Sequence, residues 1–329
     1  MRISMMMLWT ATMLGCGNNA AEQATGHVPA QAPPPNASGG FRADLPPVTV
    51  PPGEEVWPCF LVPIEIEGGS RMVAGGTVAV GSGLHHGNVL TRKKTGDGLR
   101  ECPSDKQGSE VLDVADGGTL LFGSSTQAKS TEWLSFPAGM AFRLDDGYEI
   151  VARMHYVNTT PAPLTVEPHY QWYTIPEADV TQEIAPFLWI YRPFTLPPMQ
   201  ETTVQTTCTI DRPMKIVTML PHTHARGIDV AARFVGGAMD GTRFLESPGY
   251  NPEKGTWVEF DTPVDLSQGT GISFSCSYRN DTDREIDEGP SSAEEMCMIG
   301  GYAYPPEGST SAIAQEPDLC ATVAVFDLK

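Results

Sequence analysis

The chain of 329 residues is longer than most single domains, and its hydrophobic content of 40% is sufficient for buried cores. Its formal net charge of −19 excludes the basic face that nucleic-acid binding requires, and is typical of a soluble extracytoplasmic protein. The 33 glycines and 29 prolines, together with the lack of long helical periodicity, favour a turn-rich, all-β architecture.

The N-terminus has the pattern of an export signal. A short basic start precedes an apolar segment, 3–14, which is too short to span a membrane and is followed closely by Cys16. Residues 1–16 resemble a bacterial lipoprotein signal in which Cys16 is lipidated, although Met13 stands where leucine is usual; an ordinary cleaved secretory signal is the alternative. Both forms predict an exported bacterial protein, either an outer-membrane lipoprotein or a periplasmic or extracellular protein, with a lipid on Cys16 as its sole membrane attachment.

The cysteine count agrees with export. The sequence has seven cysteines. With Cys16 lipidated, six remain, an even number that suits three disulfides in an oxidising compartment.

A linker and two domains follow the signal. Residues 17–44 are rich in Ala, Pro, Gly, Asn and Gln and have almost no large apolar side chains, which predicts a disordered linker. Short strand-like segments separated by turns continue to the C-terminus. Their spacing predicts two successive β-sandwich domains, 45–180 and 181–329.

The first domain has two histidine-bearing segments. His85 and His86 are adjacent, and adjacent residues on a regular strand face opposite sides, so both reach one metal only at a bulge or a strand end. The alternating segment 148–156 predicts a strand with His155 near its end. Taken alone, the first pair is more often solvated and His155 is more often a hydrogen-bonded core residue. His169 is interpreted as structural.

The second domain contains a stronger pattern. An apolar run, 216–220, leads through Pro221 into His222-Thr223-His224. Because residues two apart on a strand face the same side, His222 and His224 can direct two imidazoles at one point. This is metal-ligand geometry, and two surface or hydrogen-bonded histidines are the alternative.

A third ligand for this second set is available near the C-terminus. Met296 lies beside Cys297. A thioether is soft and favours Cu(I), while imidazole suits both copper oxidation states, so two histidines with one methionine indicate redox copper rather than zinc. Core packing of Met296 is the alternative, and Met298 is a rival ligand because it faces the same side of a strand.

Four motifs, in this order, resemble the type II, ascorbate-dependent copper monooxygenases, the family of peptidylglycine α-hydroxylating monooxygenase and dopamine β-monooxygenase. Each motif alone is weak, but the four together are specific, and the resemblance extends from about residue 51 to the C-terminus. The motifs are Leu84-His85-His86, Met154-His155-Tyr156, His222-Thr223-His224 with Gly227, and Glu294-Glu295-Met296-Cys297.

The resemblance implies two tandem sandwiches of jelly-roll type that bind two copper ions per chain. The electron-transfer copper would be held by His85, His86 and His155. The copper that takes up dioxygen and faces the substrate, at the catalytic site, would be held by His222, His224 and Met296. The implied disulfides are Cys59–Cys102, Cys208–Cys320 and Cys276–Cys297, the last of which would hold Met296 against its neighbouring strand.

The implied reaction is the hydroxylation of an activated C–H bond in a small-molecule or peptide substrate. It consumes dioxygen and electrons from ascorbate or another one-electron donor, and the second electron would cross a solvent-filled cleft between the domains.

Several positions depart from the peptide-hydroxylating relatives. Leu220 stands where an arginine helps to bind the substrate carboxylate, and Met298 and Gly300 stand where asparagine and tyrosine are expected. These residues predict a roomier, more apolar pocket and argue against a peptide that ends in glycine. Arg153, where a glutamine is expected, and Arg226 are the candidates for contact with an anionic group.

Two other functions are open. The first is a non-enzymatic exported protein for copper binding or electron relay that keeps the family's ligands. The second is a cupredoxin-like electron carrier with a thiolate ligand, which requires that Cys297 is not in a disulfide.

Overall fold

The fold is taken from a computed structural model that describes most of the chain after the predicted signal. The signal, 1–16, with Cys16, lies outside the described residues. These residues are 26–27, 31–64, 70–103, 119–123, 131–145, 147–210, 213–247, 250–252, 257–289, 291–306, 310–316 and 319–325.

The described residues are mainly β-strands, which confirms the all-β prediction. We call residues 45–180 the N-terminal half. Up to residue 180, the strands are β1 (Gly26–His27), β2 (Gly39–Asp44), β3 (Val48–Val50), β4 (Glu55–Val56), β5 (Cys59–Pro63), β6 (Ser70–Ala79), β7 (Leu84–Lys93), β8 (Arg100–Glu101), β9 (Thr119–Gly123), β10 (Thr131–Ser135), β11 (Met140–Asp145), β12 (Tyr148–Val157), β13 (Leu164–Val166) and β14 (His169–Ile175).

The C-terminal half, 181–329, continues in the same way. Two short 3-10 helices, Glu177–Asp179 and Leu266–Gln268, lie between strands. The strands are β15 (Gln182–Tyr191), β16 (Thr195–Leu196), β17 (Gln200–Thr209), β18 (Lys215–His222), β19 (Gly227–Val235), β20 (Arg243–Leu245), β21 (Val258–Asp265), β22 (Gly271–Asn280), β23 (Ile286–Asp287), β24 (Cys297–Tyr304), β25 (Thr310–Glu316) and β26 (Leu319–Val325).

Sheets stack into sandwiches in both halves. In the N-terminal half, a sheet with the order β8-β5-β12-β7-β9 faces the part of the largest sheet that contains β11, β6, β14 and β2. In the C-terminal half, β17-β22-β19-β20 faces the part that contains β21, β18, β24 and β15. Alternate residues of β12 show why these strands form: Ile150, Ala152 and Met154 point into the main core, while Val151 belongs to a smaller apolar cluster on the other face.

The halves are joined by hydrogen bonds and by packing. Strand β11 pairs in parallel with β15, so the largest sheet runs continuously from one half into the other. Tyr302 of the C-terminal half is fully buried in the main core, where its ring contacts Phe136 at a centroid distance of 4.5 Å and its hydroxyl donates to the Leu121 carbonyl. The division at residue 180 remains a prediction, because the described structure is continuous there.

The predicted linker ends earlier than residue 44. Residues 39–44 form β2, which pairs antiparallel with β14. Phe41 packs against Trp172 at a centroid distance of 6.4 Å, and Ala43 is buried. The composition of 17–44 concealed this strand because a single aromatic side chain and a few small residues are sufficient at a sheet edge.

Disulfides hold both halves. Cys59 is bonded to Cys102 with a Cα–Cα distance of 5.3 Å, and Cys276 is bonded to Cys297 with a Cα–Cα distance of 5.8 Å. Both pairs agree with the expectation. Cys208 is also disulfide-bonded; the side chain of its expected partner, Cys320, lies outside the description.

None of the helices within the described ranges combines the length and the apolar content that crossing a bilayer requires.

Candidate metal centre

His222 and His224 lie at the point where β18 ends. His222 is the last residue of the strand and is paired with Met298 of β24. The chain then turns, and the Gly227 N–H donates to the His224 carbonyl at 3.1 Å. A Cβ at Gly227 would lie 1.8 Å from Thr223 Oγ1, so the turn requires glycine there. The two imidazole centroids are 5.4 Å apart.

His224 is fully buried and has a fixed orientation. Its ring Nδ1 donates to the Glu294 carbonyl at 3.0 Å, and its backbone N–H donates to Glu295 Oε2 at 2.9 Å. A neutral imidazole that donates from Nδ1 has its lone pair on Nε2, which is buried. Nε2 is therefore the ring nitrogen through which His224 could bind a metal.

Glu295 holds the backbone of this turn. Its carboxylate is fully buried and accepts from the N–H groups of His224 and Arg226, the latter at 2.8 Å. The Arg226 guanidinium lies 3.6 Å from the same carboxylate. Burial raises the pKa of Glu295 to about 7, and the donated hydrogen bonds oppose that shift. Arg226, a predicted candidate for contact with an anionic substrate group, lies beside the Glu295 carboxyl group in this structure.

Met296 follows Glu295 and is buried. Its carbonyl accepts from the Tyr278 hydroxyl at 2.6 Å, and its neighbour Cys297 is bonded to Cys276. Both contacts restrict the backbone on which the thioether is carried. Met298, the rival ligand, packs against an apolar cluster that includes Leu188 and Ile190.

His155 lies near the end of β12 and is fully buried. Its Nε2 is 2.8 Å from Glu55 Oε2, and the indole of Trp57 stacks on its ring at a centroid distance of 4.6 Å and an interplanar angle of 13°. An imidazole that donates from Nε2 to a carboxylate has its lone pair on Nδ1, which is buried. The two halves thus present opposite ring nitrogens.

His85 occupies the bulge that the sequence required. In the pairing of β7 with β12, His155 is opposite His86 and Tyr156 is opposite Leu84, so His85 is the extra residue of a register shift. His85 is buried and its ring contacts the edge of His155, with the centroids 5.0 Å apart. The side chain of His86 lies outside the description.

The predicted ligands meet across the junction of the two halves. The ring of His85 is 5.7 Å from that of His224, centroid to centroid, so His155, His85 and His224 contact one another in sequence. This differs from the expected solvent-filled cleft. Within the described ranges, no three His, Cys, Asp or Glu side chains form a metal-holding group; one predicted set includes His86 and the other includes a methionine.

Residues that were predicted to form an apolar pocket or to contact an anionic group are buried. Leu220 is buried in the main core, and a Cβ at Gly123 of the N-terminal half would lie 3.2 Å from it. Gly300 is buried in β24. Arg153 is buried within β12, next to the disulfide-bonded Cys59 in the pairing with β5. Packing between the halves covers Leu220, and the roomy pocket remains a prediction.

Sequence reasoning did not identify the groups that hold the histidines. Glu55 and Trp57 lie far along the chain from His155, and Ser292 lies far from Glu55, to which its hydroxyl donates. Glu295 was identified only as part of a motif. The paired acids at 294–295 ahead of a Met-Cys pair were the available signal for Glu295, because a carboxylate there can accept from a neighbouring turn.

Part of the chain matches a known protein family. Residues 188–312 match the model for the copper type II ascorbate-dependent monooxygenase C-terminal domain. No curated protein matches the chain. Among solved structures, the STIV MCP is 8% identical, with a TM-score of 0.35 over 81% of this chain and 97% of that chain. PBCV-1 VP54, fitted into a cryo-EM reconstruction of the virophage Sputnik, is 6% identical, with a TM-score of 0.27 over 80% and 93%.

The structural similarities are too low to support a conclusion, whereas the family match contains three predicted ligands, His222, His224 and Met296. It supports the family resemblance: residues 188–312 are similar to the C-terminal domain of the copper type II ascorbate-dependent monooxygenases.

Proposed function

We propose that the chain is a copper-dependent monooxygenase that hydroxylates an activated C–H bond with dioxygen and a one-electron donor such as ascorbate. Two copper ions per chain would be held by the predicted sets of ligands. The substrate is a small molecule or a peptide.

The donor chemistry fits copper. The C-terminal set combines two imidazoles with a thioether, and such soft and borderline donors suit copper in both oxidation states. When bound, copper supplies the redox chemistry that activates dioxygen. The N-terminal set has imidazoles alone, which suits a centre that exchanges electrons.

The protein's own contribution is orientation. Glu295 accepts the N–H groups of the turn that carries His224, and Glu55 and Trp57 fix the edge and the face of His155. Histidine ligands require such partners, since the hydrogen bond at one ring nitrogen determines which nitrogen binds metal.

The observation that carries the proposal is the environment of His224. The imidazole donates from Nδ1 to Glu294, two residues before Met296, within a domain that matches the monooxygenase family. A buried histidine is thereby oriented as an Nε2 ligand beside the segment that carries a buried methionine.

We propose further that the protein acts outside the cytoplasm, with Cys16 as the site of a lipid anchor. Disulfides persist in oxidising compartments, and the disulfide bonds at Cys59, Cys208 and Cys276 support this placement. Intact-mass measurement of the exported protein would test it: a diacyl or triacyl mass on Cys16 is expected, and a chain that begins beyond Cys16 would contradict the anchor.

A second candidate function is copper binding or electron relay without catalysis. It is favoured by the burial of Leu220 and Gly300, the positions at which a substrate pocket was expected. The disulfide of Cys297 excludes the third possibility, a cupredoxin-like thiolate site at that residue.

Copper stoichiometry and oxygen consumption separate these functions. The exported, disulfide-intact chain is loaded with copper, examined by EPR, and then supplied with ascorbate and a panel of candidate substrates. A monooxygenase binds two coppers without a thiolate signal and consumes oxygen in proportion to one of the substrates. Two coppers that cycle with oxygen uptake independent of every substrate favour copper binding or electron relay, and one copper or none contradicts the monooxygenase proposal with its two copper sites.

A further inference from the structure

We propose that Glu55 couples the two metal-binding sets, so that copper bound by one set raises the copper affinity of the other. The inference rests on the proposed function, because it assumes that both sets bind copper. Its basis is a path from His155 to His224 that crosses the junction of the two halves through hydrogen bonds and the backbone of the 291–295 turn.

Glu55 is shared by the two halves. Its Oε2 accepts from His155 Nε2 at 2.8 Å, and its Oε1 accepts from the Ser292 hydroxyl at 2.5 Å. Ser292 is 237 residues away along the chain. One carboxylate therefore orients a predicted ligand of the N-terminal set and also holds the loop that leads to Met296.

The loop that contains Ser292 is a turn, 291–295, with internal hydrogen bonds. The Glu294 N–H donates to the Ser291 carbonyl at 3.0 Å, and the Ser291 N–H donates to Glu294 Oε2 at 2.9 Å. The Ala293 N–H donates to Ser291 Oγ at 3.2 Å. With three internal hydrogen bonds, the turn moves as a unit, and a shift at Ser292 is transmitted to Glu294.

Glu294 completes the connection. Its carbonyl accepts from His224 Nδ1 at 3.0 Å, and the next residue, Glu295, accepts from the His224 N–H. The position of the turn thus determines the orientation of the His224 ring. Met296 follows the same turn directly, so both of these C-terminal ligands depend on it.

The direction of the coupling follows from the chemistry of imidazole. A metal at Nδ1 of His155 withdraws electron density from the ring and makes Nε2–H a stronger donor, which strengthens its charge-assisted bond to Glu55. The carboxylate is then fixed with Oε1 toward Ser292, and the turn is fixed in the conformation that orients His224. Thermodynamic linkage requires that copper in the C-terminal set raises the affinity of the N-terminal set by the same factor.

The test is a double-mutant cycle on the full chain with Cu(I) as the probe. The affinity of the C-terminal set is measured by competition with a chelator and identified by the Cu–S contribution in X-ray absorption. Four chains are compared: wild type, Ser292→Ala, His155→Ala and the double variant. His155→Ala empties the N-terminal set, so the ratio of affinities with and without it is the coupling factor.

We expect a coupling factor of about 5 or more with Ser292 present and close to 1 in the Ser292→Ala background. Ser267→Ala is the matched control, since it removes a hydroxyl-to-carboxylate bond to Asp265 within the C-terminal half and leaves the coupling unchanged. Glu55→Gln keeps the size of the side chain and is the second test of the connection. It should also lower the coupling factor, and it should weaken the N-terminal set about 10-fold to 100-fold.

A factor of 1 in the wild type, or the same factor with and without Ser292, overturns the coupling. In those cases two coppers still bind, so the proposed function stands. Failure of either set to bind copper contradicts the proposed function as well, and the two failures are therefore distinguishable by stoichiometry.

Discussion

The two histidine sets are held in different ways. In the C-terminal half, His224 is held by the Glu294 carbonyl and by the fully buried Glu295, both of the 291–295 turn. In the N-terminal half, His155 is held by Glu55, whose side chain is 30% exposed and reaches across to Ser292, and by Trp57, which is 41% exposed. The direct partners of His224 are therefore buried, whereas the direct partners of His155 are partly exposed at the surface.

This difference has a consequence for function. A centre that activates dioxygen requires a fixed geometry, and buried, fully hydrogen-bonded partners provide it. If the N-terminal set receives electrons from an external donor, as proposed, it requires access from solvent, and the indole that stacks on the buried His155 is partly exposed.

The largest expected effect comes from removing the thioether. Met296→Ile replaces a buried side chain by one of similar size without sulfur, so the fold and the copper of the N-terminal set should persist while substrate-dependent oxygen uptake falls to background. X-ray absorption of the Cu(I) form should lose its Cu–S contribution.

Met298→Ile is the matched control for that variant. Met298 packs against the apolar cluster with Leu188 and Ile190, where isoleucine is tolerated. The assignment of Met296 is wrong if it is the Met298 variant that loses the Cu–S signal, or if Met296→Ile retains turnover.

The sequence predicted the parts of the site that depend on local patterns. The spacing of His222 and His224 at a strand end, the position of His155 on β12 and the bulge at His85 all follow from the period of a β-strand. Each of these is a property of a few consecutive residues.

The rest of the site depends on how distant segments pack. The contact of Glu55 with Ser292 joins residues 237 apart, and it exists because the junction places a short edge strand beside the 291–295 turn. Leu220 was expected to line a pocket, and it is buried because the neighbouring half covers it. Neither fact has a signature in one half alone.

A smaller effect is expected when the hydrogen bonds from Glu295 to the turn that carries His224 are weakened. Glu295→Gln keeps the shape of the side chain, but an amide has one acceptor oxygen where the carboxylate has two. The backbone N–H of either His224 or Arg226 would then face the amide NH2 group, which is itself a donor. We expect a loss of about 1–3 kcal/mol in the free energy of unfolding, measured by urea denaturation of the copper-free chain.

Glu201→Gln is the control for Glu295. Glu201 forms an exposed ion pair with Arg279 at 2.7 Å, and such pairs contribute no more than about 1 kcal/mol. Equal losses for the two variants would show that Glu295 does not organise the turn.

The smallest effect is expected at Trp57, and it concerns the N-terminal set. Trp57→Ala removes the ring that covers one face of His155, so the imidazole gains rotational freedom and the copper affinity of this set should fall about 10-fold, as for other partners of metal-bound histidines. Trp57→Phe keeps an aromatic face and should retain most of the affinity. Chelator competition measures both values, and the EPR signal of the N-terminal copper should broaden in the alanine variant alone. If the two Trp57 variants bind copper in the N-terminal set as tightly as the wild type does, the stacking does not order His155. The partly exposed Trp57 would then not be one of the groups that hold this set.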